Sequence, residues 1–299
     1  MIVLHVGNTT GTNAFPTLPM KMKPNTVALA ALVFVTAPAN AAAVIYEPFN
    51  YATGGLNGKF GLTEEGLTGA WAANADTVLE ENSLSYGLLS TAGNKFRGKE
   101  AINRYGGSRA ISASALSTSG LLVSNSELWF SVIIGKATTA NSSNTFLALA
   151  LASDTFITSN GNTRPLTAGQ GVGIDWTGTQ PVRASSFSTA APVVGTSTAS
   201  LYAPGEFGLI VGKILWGDTT DTITLYQPDI NLTLGAAVST LETTVDQSAF
   251  DTLTFRWGSG IVMDEIRFGA NYASVTPIPE PSTALLGAIG AIMLLRRRR

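Results

Sequence analysis

The sequence predicts an all-β fold, an antiparallel β-sandwich, and three observations carry that expectation. Short stretches with a two-residue apolar period recur through the middle of the chain, bounded by glycine, asparagine, aspartate or serine. No stretch between residues 44 and 275 keeps a long 3.6-residue apolar period, so very little helix is expected there. That length suits one domain with a sizeable core, since all-β sandwiches of about 200–250 residues are common. Many antiparallel strands without helices fold as a sandwich or a barrel.

Residues 1–19 look like neither a mature domain nor an export signal, and stand as a leader ahead of a start at Met20 or Met22. Residues 20–43 read as a secretory signal helix. Lys21 and Lys23 make its basic end, residues 27–35 its apolar stretch, and Ala39-Asn40-Ala41 fits the small-x-small cleavage pattern. Cleavage is expected after Ala41 or Ala43, with the Sec translocon and signal peptidase as partners. A buried N-terminal helix is the alternative.

The domain itself is expected over residues 44–275. Residues 128–134 are rich in β-branched and aromatic side chains and close on Gly135-Lys136. Residues 145–151 set Leu147, Leu149 and Leu151 on one face. Residues 171–176 form a further strand. Residues 207–216 are apolar almost throughout and so suit a central strand. Residues 221–226 turn Ile223 and Leu225 inward, and 217–221 reads as the hairpin between these two. Residues 252–257 alternate Leu253, Phe255 and Trp257 against Thr252, Thr254 and Arg256. A tight turn at 258–260 leads into the last strand, 261–268. Residues 177–200, rich in serine, threonine and alanine, read as a long loop or an irregular edge hairpin.

Residues 276–299 form the last segment. Pro279-Glu280-Pro281 is stiff and non-helical, because proline fixes φ and biases the residue before it toward extended forms. Residues 284–295 are an unbroken apolar run, and Arg296, Arg297, Arg298 and Arg299 follow. An apolar run followed at once by a basic cluster reads as a single transmembrane helix with cytoplasmic arginines. It is shorter than the roughly 20 residues of a full span, which flanking residues and arginine stems can extend. The three parts in this order resemble the PEP-CTERM sorting signal of Gram-negative bacteria that make an extracellular matrix. The resemblance covers these last residues only. It implies that a membrane protease, an exosortase, recognises Pro279, Glu280 and Pro281 and removes the tail. The protein would then be anchored transiently in the inner membrane and pass to the cell surface or matrix. An ordinary anchor with a proline linker is the alternative.

Within the domain, residues 44–51 (Val-Ile-Tyr-Glu-Pro-Phe-Asn-Tyr) and 263–269 (Met-Asp-Glu-Ile-Arg-Phe-Gly) stand near its two ends. Their order, with Trp71, Trp129 and Trp257 between, resembles the concanavalin A-like, laminin-G-type jelly rolls. That resemblance implies that a Glu-x-Phe strand and an Asp-Glu-Ile-Arg strand lie side by side. Such folds serve as glycan-binding modules, glycosidases or plain structural units, so fold alone does not settle function.

Composition narrows the chemistry. The chain has no cysteine, and its single histidine, His5, lies in the leader. This removes serine–histidine triads, cysteine–histidine pairs, and zinc or copper sites built on those ligands. Charged residues are only 13% of the chain, and nothing suggests a nucleic-acid surface. Any chemistry rests on carboxylates, tyrosine, lysine or arginine. The carboxylates of interest are Glu47, Glu127, Asp175, Asp264 and Glu265. Retaining glucanases of the resembled fold carry Glu-x-Asp-x-x-Glu on one strand, and that spacing is absent.

Asp264 falls in phase with Val262, Ile266 and Phe268, and Glu47 with Ile45 and Phe49. A carboxylate on an apolar face needs a pair, hydrogen bonds or a cation. Two such groups on adjacent strands would suit structural Ca²⁺, which takes oxygen ligands. Related jelly-roll glucanases hold calcium with an N-terminal glutamate and a last-strand aspartate, which these positions resemble. Pairing of Asp264 with backbone N–H groups or an arginine is the alternative. Glu265 and Arg267 share a face and read as a solvated ion pair. Trp71 and Trp176 are candidate glycan-stacking rings, the latter beside Asp175; for both, a place in the core is the alternative. Trp216 and Trp257 fit core phases.

The functional expectation is an exported envelope or matrix protein, structural or polysaccharide-binding, without catalysis. A carboxylate-only glycan hydrolase or lyase is the competing reading.

Overall fold

The computed structural model describes residues 42–61, 66–99, 105–117, 119–138, 145–156 and 164–278. The expected signal and sorting segments lie outside these residues, apart from 42–43 and 276–278. With them lie Ala39 and Ala41, Pro279, Glu280 and Pro281, and the four terminal arginines. Among the described residues no helix is long and apolar enough to cross a membrane.

In chain order the strands are β1 (Ile45–Glu47), β2 (Gly54–Gly55), β3 (Leu67–Ala73), β4 (Thr77–Glu80), β5 (Lys95–Gly98) and β6 (Tyr105–Ile111). The short helix α1 (Ala113–Ser117) precedes β7 (Glu127–Lys136), β8 (Phe146–Ala152) and β9 (Gly171–Thr177). Then come β10 (Arg183–Phe187), β11 (Val193–Val194), β12 (Thr196–Ser197), β13 (Phe207–Leu215), β14 (Asp221–Tyr226) and β15 (Ala237–Thr243). β16 (Thr252–Trp257), β17 (Ile261–Gly269) and the helix α2 (Tyr272–Val275) close the domain.

These strands form two antiparallel sheets. The larger runs β12-β15-β14-β13-β7-β17-β5-β4-β2, with β1 added on β17; the smaller runs β11-β10-β9-β8-β16-β6-β3. The expected pairing of the two terminal strands is present, with Ile45 opposite Phe268 and Glu47 opposite Ile266. Consecutive strands β16 and β17 belong to different sheets, and the turn between them carries Gly260 at φ +67°. Glycine meets that left-handed geometry without a Cβ penalty.

The core lies between the sheets. Leu147, Leu149 and Leu151 of β8 meet Phe130, Val132 and Ile134 of β7, with Leu253, Phe255 and Trp257 of β16 beside them. The two-residue period that marked these segments is the pleat burying every second side chain. Residues 177–200 are more ordered than a long loop. They supply β10 and β11 to one edge of the smaller sheet and β12 to one edge of the larger, as the edge-hairpin alternative allowed. Strands β3, β4, β5, β6 and β15 were not anticipated, because glycine, alanine, serine and short lengths leave little apolar period there.

β17 carries a β-bulge. Its register against β7 shifts between Asp264 and Arg267, and Glu265 takes φ +57°. Ile261 and Met263 before the bulge, and Ile266 and Phe268 after it, all face the core. Val262 faces the other way, into a second cluster with Trp129 and Ile133 under α2 and two loops. One inserted residue therefore reverses the inward phase of the strand.

Gly212 faces Phe130 on the neighbouring strand, and a Cβ at this position would stand 2.0 Å from the ring. Gly212→Ala is expected to cost about 1–3 kcal/mol through overpacking. A urea unfolding midpoint unchanged from the parent would contradict this packing.

Candidate functional site

Glu47 is fully buried at the end of β1 and points between the sheets. It accepts from the Phe49 backbone N–H at 2.7 Å, the Tyr51 hydroxyl at 2.7 Å, Trp71 Nε1 at 2.9 Å and Arg109 Nη1 at 3.1 Å. Arg109 also donates to the Tyr51 hydroxyl and to the Gly69 carbonyl. Every contact of the carboxylate is a donor, and one of them is a buried guanidinium. A cation at this place would have to displace Arg109.

Asp264 does not meet Glu47. The bulge sets it on the side of Val262, while Glu47 lies with Ile266 on the inner side. It accepts from the Ser83 hydroxyl and the Leu84 N–H, both at 2.7 Å, and from the Glu265 N–H at 2.8 Å. The expected calcium pair of Glu47 and Asp264 is thus corrected: one is paired with an arginine and the other holds backbone and a serine. Among the described residues no group of three or more histidine, cysteine, aspartate or glutamate side chains is placed to hold a metal ion.

Glu265 pairs with Arg267 as read from the sequence, but the pair is buried rather than solvated. The Tyr46 hydroxyl, the Ala92 N–H and the Ser83 hydroxyl also donate to Glu265, at 2.8 Å, 2.5 Å and 3.3 Å. The bulge thereby fastens residues 83–92 to the last strand through two carboxylates. Burial pushes Asp264 up to about 8, and the neighbouring Glu265 charge adds to the rise. Burial raises Glu265 as well, against the pull of Arg267.

Neither candidate tryptophan offers a face to a sugar. Trp71 stacks on Phe49 and meets Phe255 edge-on inside the core. Trp176 is fully buried with Tyr202 edge-on to it, and its Nε1 meets no acceptor among the described residues. Both are corrected to core residues, as large rings are drawn to the most apolar volume available. Asp175 is buried too and is held by Arg164 and Arg183. Glu127 pairs with Lys213 and accepts from Trp129 Nε1. Trp216 and Trp257 occupy the core as their phases indicated.

One surface open to a ligand lies on the smaller sheet. A groove of about 570 Å³ runs over β3, β6 and β16 and is bordered by the segment that follows β8. Asn57, Asn74, Ser108, Thr155, Thr167 and Thr254 line it, with Phe156 and several glycines and alanines. The Oδ1 atoms of Asn57 and Asn74 hold the N–H groups of Ala73 and Gly106 at 3.1 Å and 3.0 Å. This fixes both amides and leaves their Nδ2 donors for a ligand. Thr254 Oγ1 accepts from the Phe156 N–H at 3.3 Å, which ties the bordering segment to the sheet. No acidic or basic side chain is among the described residues that line the groove. The outward phase of Thr254 was legible in the sequence. Asn57, Asn74 and Ser108 carried no signal that separates them from other polar residues in glycine-rich stretches.

No protein-family model matches the chain, and no curated protein matches it by sequence. Solved structures do align with it. A protein of unknown function from Shewanella oneidensis MR-1 is 16% identical, over 86% of this chain and 98% of that one, with a TM-score of 0.41. A carbohydrate binding module from Bacillus subtilis is 12% identical over 66% and 94%, with a TM-score of 0.35. An alginate lyase from a Chlorella virus is 6% identical over 62% and 89%, with a TM-score of 0.37. At these scores the sandwich assignment rests on the strand order itself.

Two outcomes follow. Glu47→Ala leaves Arg109 buried without its partner and is expected to cost about 3–5 kcal/mol; chemical unfolding with a loss below 1 kcal/mol would contradict the paired geometry. For Asp264, the folded state holds a proton that the unfolded chain releases near its ordinary value. Stability should therefore fall as pH rises from about 4 to about 8. Asp264→Asn should flatten that slope, leaving the part due to Glu265 and to Glu47, both of which burial also raises. Unfolding midpoints at pH 5 and pH 8.5 check it, and parent and variant slopes that coincide would refute it.

Proposed function

We propose that the protein is an exported envelope or extracellular-matrix component whose β-sandwich, of concanavalin A-like type, binds a polysaccharide without cleaving it. The groove over β3, β6 and β16 carries this reading. Its fixed amides and hydroxyls match the donors and acceptors of sugar hydroxyls, and small residues let a chain lie close to the sheet. The absence of charge in its described lining fits a neutral glycan better than a charged one.

The same lining argues against the hydrolase alternative. A glycosidase needs two carboxylates facing one bond, about 5 Å apart for retention or 6.5–9.5 Å for inversion. The buried carboxylates of this domain are instead spent on arginines and backbone donors. Export and sorting rest on the two ends of the sequence: the signal pattern at 20–43, and the Pro279-Glu280-Pro281 motif with its apolar and arginine segments. Exosortase, the Sec translocon and signal peptidase are the partners that this reading assigns.

Affinity electrophoresis through gels holding neutral polysaccharides tests the binding, with reducing ends assayed in parallel. Retardation by one of them is expected, with Asn74→Ala weakening it about five- to tenfold for one lost hydrogen bond. Free migration through every gel, or a steady release of reducing ends, would overturn the proposal.

A further inference from the structure

Three exposed large aliphatic residues lie on neighbouring segments near the end of the domain. Leu88 is 48% exposed, Ile230 is 64% exposed and Ile278 is 46% exposed. The Leu88 N–H donates to the Ile230 carbonyl at 3.0 Å, and the Ser90 N–H donates to the Pro277 carbonyl at 2.8 Å. Two loops and residues 276–278 thus form one corner. Tyr86 and Tyr272 stiffen it from beneath, their hydroxyls donating to the carbonyls of Pro228 and Leu232 at 2.7 Å and 2.6 Å. Single exposed aliphatics are ordinary, but three on segments joined by backbone bonds mark a contact surface.

We infer that this corner rests on the headgroup layer of the bilayer that the tail enters. The inference rests on the proposed membrane insertion of residues 284–295 and is independent of glycan binding. Six chain steps separate Ile278 from Ala284, so the corner is tethered within about 22 Å of the first apolar tail residue. A short tether raises the effective concentration of lipid at the corner far above that at any other face. Asp229 stands beside Ile230 with its carboxylate on the Asn231 and Thr233 N–H groups, which hold it below its ordinary range. A fixed negative charge is repelled by anionic headgroups, so the matching surface is zwitterionic. Contact is made by aliphatic burial rather than by charge.

The chain has no cysteine, so one introduced thiol can carry one label. Ile230→Cys, Leu88→Cys and, as a control, Val193→Cys are labelled with a fluorophore in the full chain. Val193 is 59% exposed on β11, at the edge of the smaller sheet. Each protein is mixed with phosphatidylcholine vesicles containing a headgroup-region nitroxide lipid, and flotation is scored alongside. The expected result is flotation with severalfold stronger quenching at 230 and 88 than at 193. Flotation with equal quenching at all three would overturn the corner contact and leave insertion intact. Labels at 230 and 88 shielded from aqueous iodide but not quenched by the lipid would assign the corner to a second copy of the chain, and would also overturn it. Failure to float would overturn insertion and this inference together, while glycan retardation stays as a separate result.

Discussion

The domain depends on one buried carboxylate. Glu47 sits on β1 of the larger sheet, and two of its donors, Trp71 and Arg109, come from β3 and β6 of the smaller one. A polar clasp therefore crosses the middle of an apolar core. Burying an ion pair is costly, and only good geometry with every lone pair engaged offsets the desolvation. Four donors supply that geometry here. The clasp also fixes relative position, since the two sheets can slide only by breaking directional bonds that neighbouring apolar contacts would tolerate losing. A chain without cysteine has no disulfide to do this, and the clasp ties the first strand to the opposite sheet while backbone pairing holds it against the last strand.

The bulge in β17 is the second organising feature. A strand that alternates strictly would bury Met263 and then expose Ile266. One extra residue, with Glu265 in a left-handed conformation, lets both face the core. The outward carboxylates that result are shielded by residues 83–92, which they bind through Ser83, Leu84 and Ala92. That same loop presents Leu88 at the exit corner. A local change of backbone register thus sets where that loop lies on the last strand.

The two outer faces consequently differ. The larger sheet is covered by its own loops and by α2, through an apolar cluster around Trp129 and Ile133. The smaller sheet is partly covered, by Phe156 and Leu166 on Ala148, Ala150 and Ala152. The rest of it is open, small and polar. The proposed glycan site lies on the face where backbone can be approached closely and where amides are already fixed by their own hydrogen bonds.

Periodicity along the chain determined a good deal: the sandwich class, the strands at 207–215, 221–226 and 252–257, and the core places of Trp216 and Trp257. Each of these needs only that apolar residues two apart share one buried face. The side-by-side terminal strands were legible only through a family resemblance. Tertiary structure decided the rest. Strands β3 and β6 pair through backbone groups and lack a regular two-residue period of large apolar side chains, yet they build the groove. Asp264 was misplaced because a bulge is a property of two strands in register, not of one. Trp71 looks free in its glycine-rich stretch and is buried by partners far away in sequence, and Trp176 takes the core place that its strand left open. The sequence by itself specifies which side chains seek the core; which polar groups meet, and which face stays open, follows only once the two sheets are laid on each other.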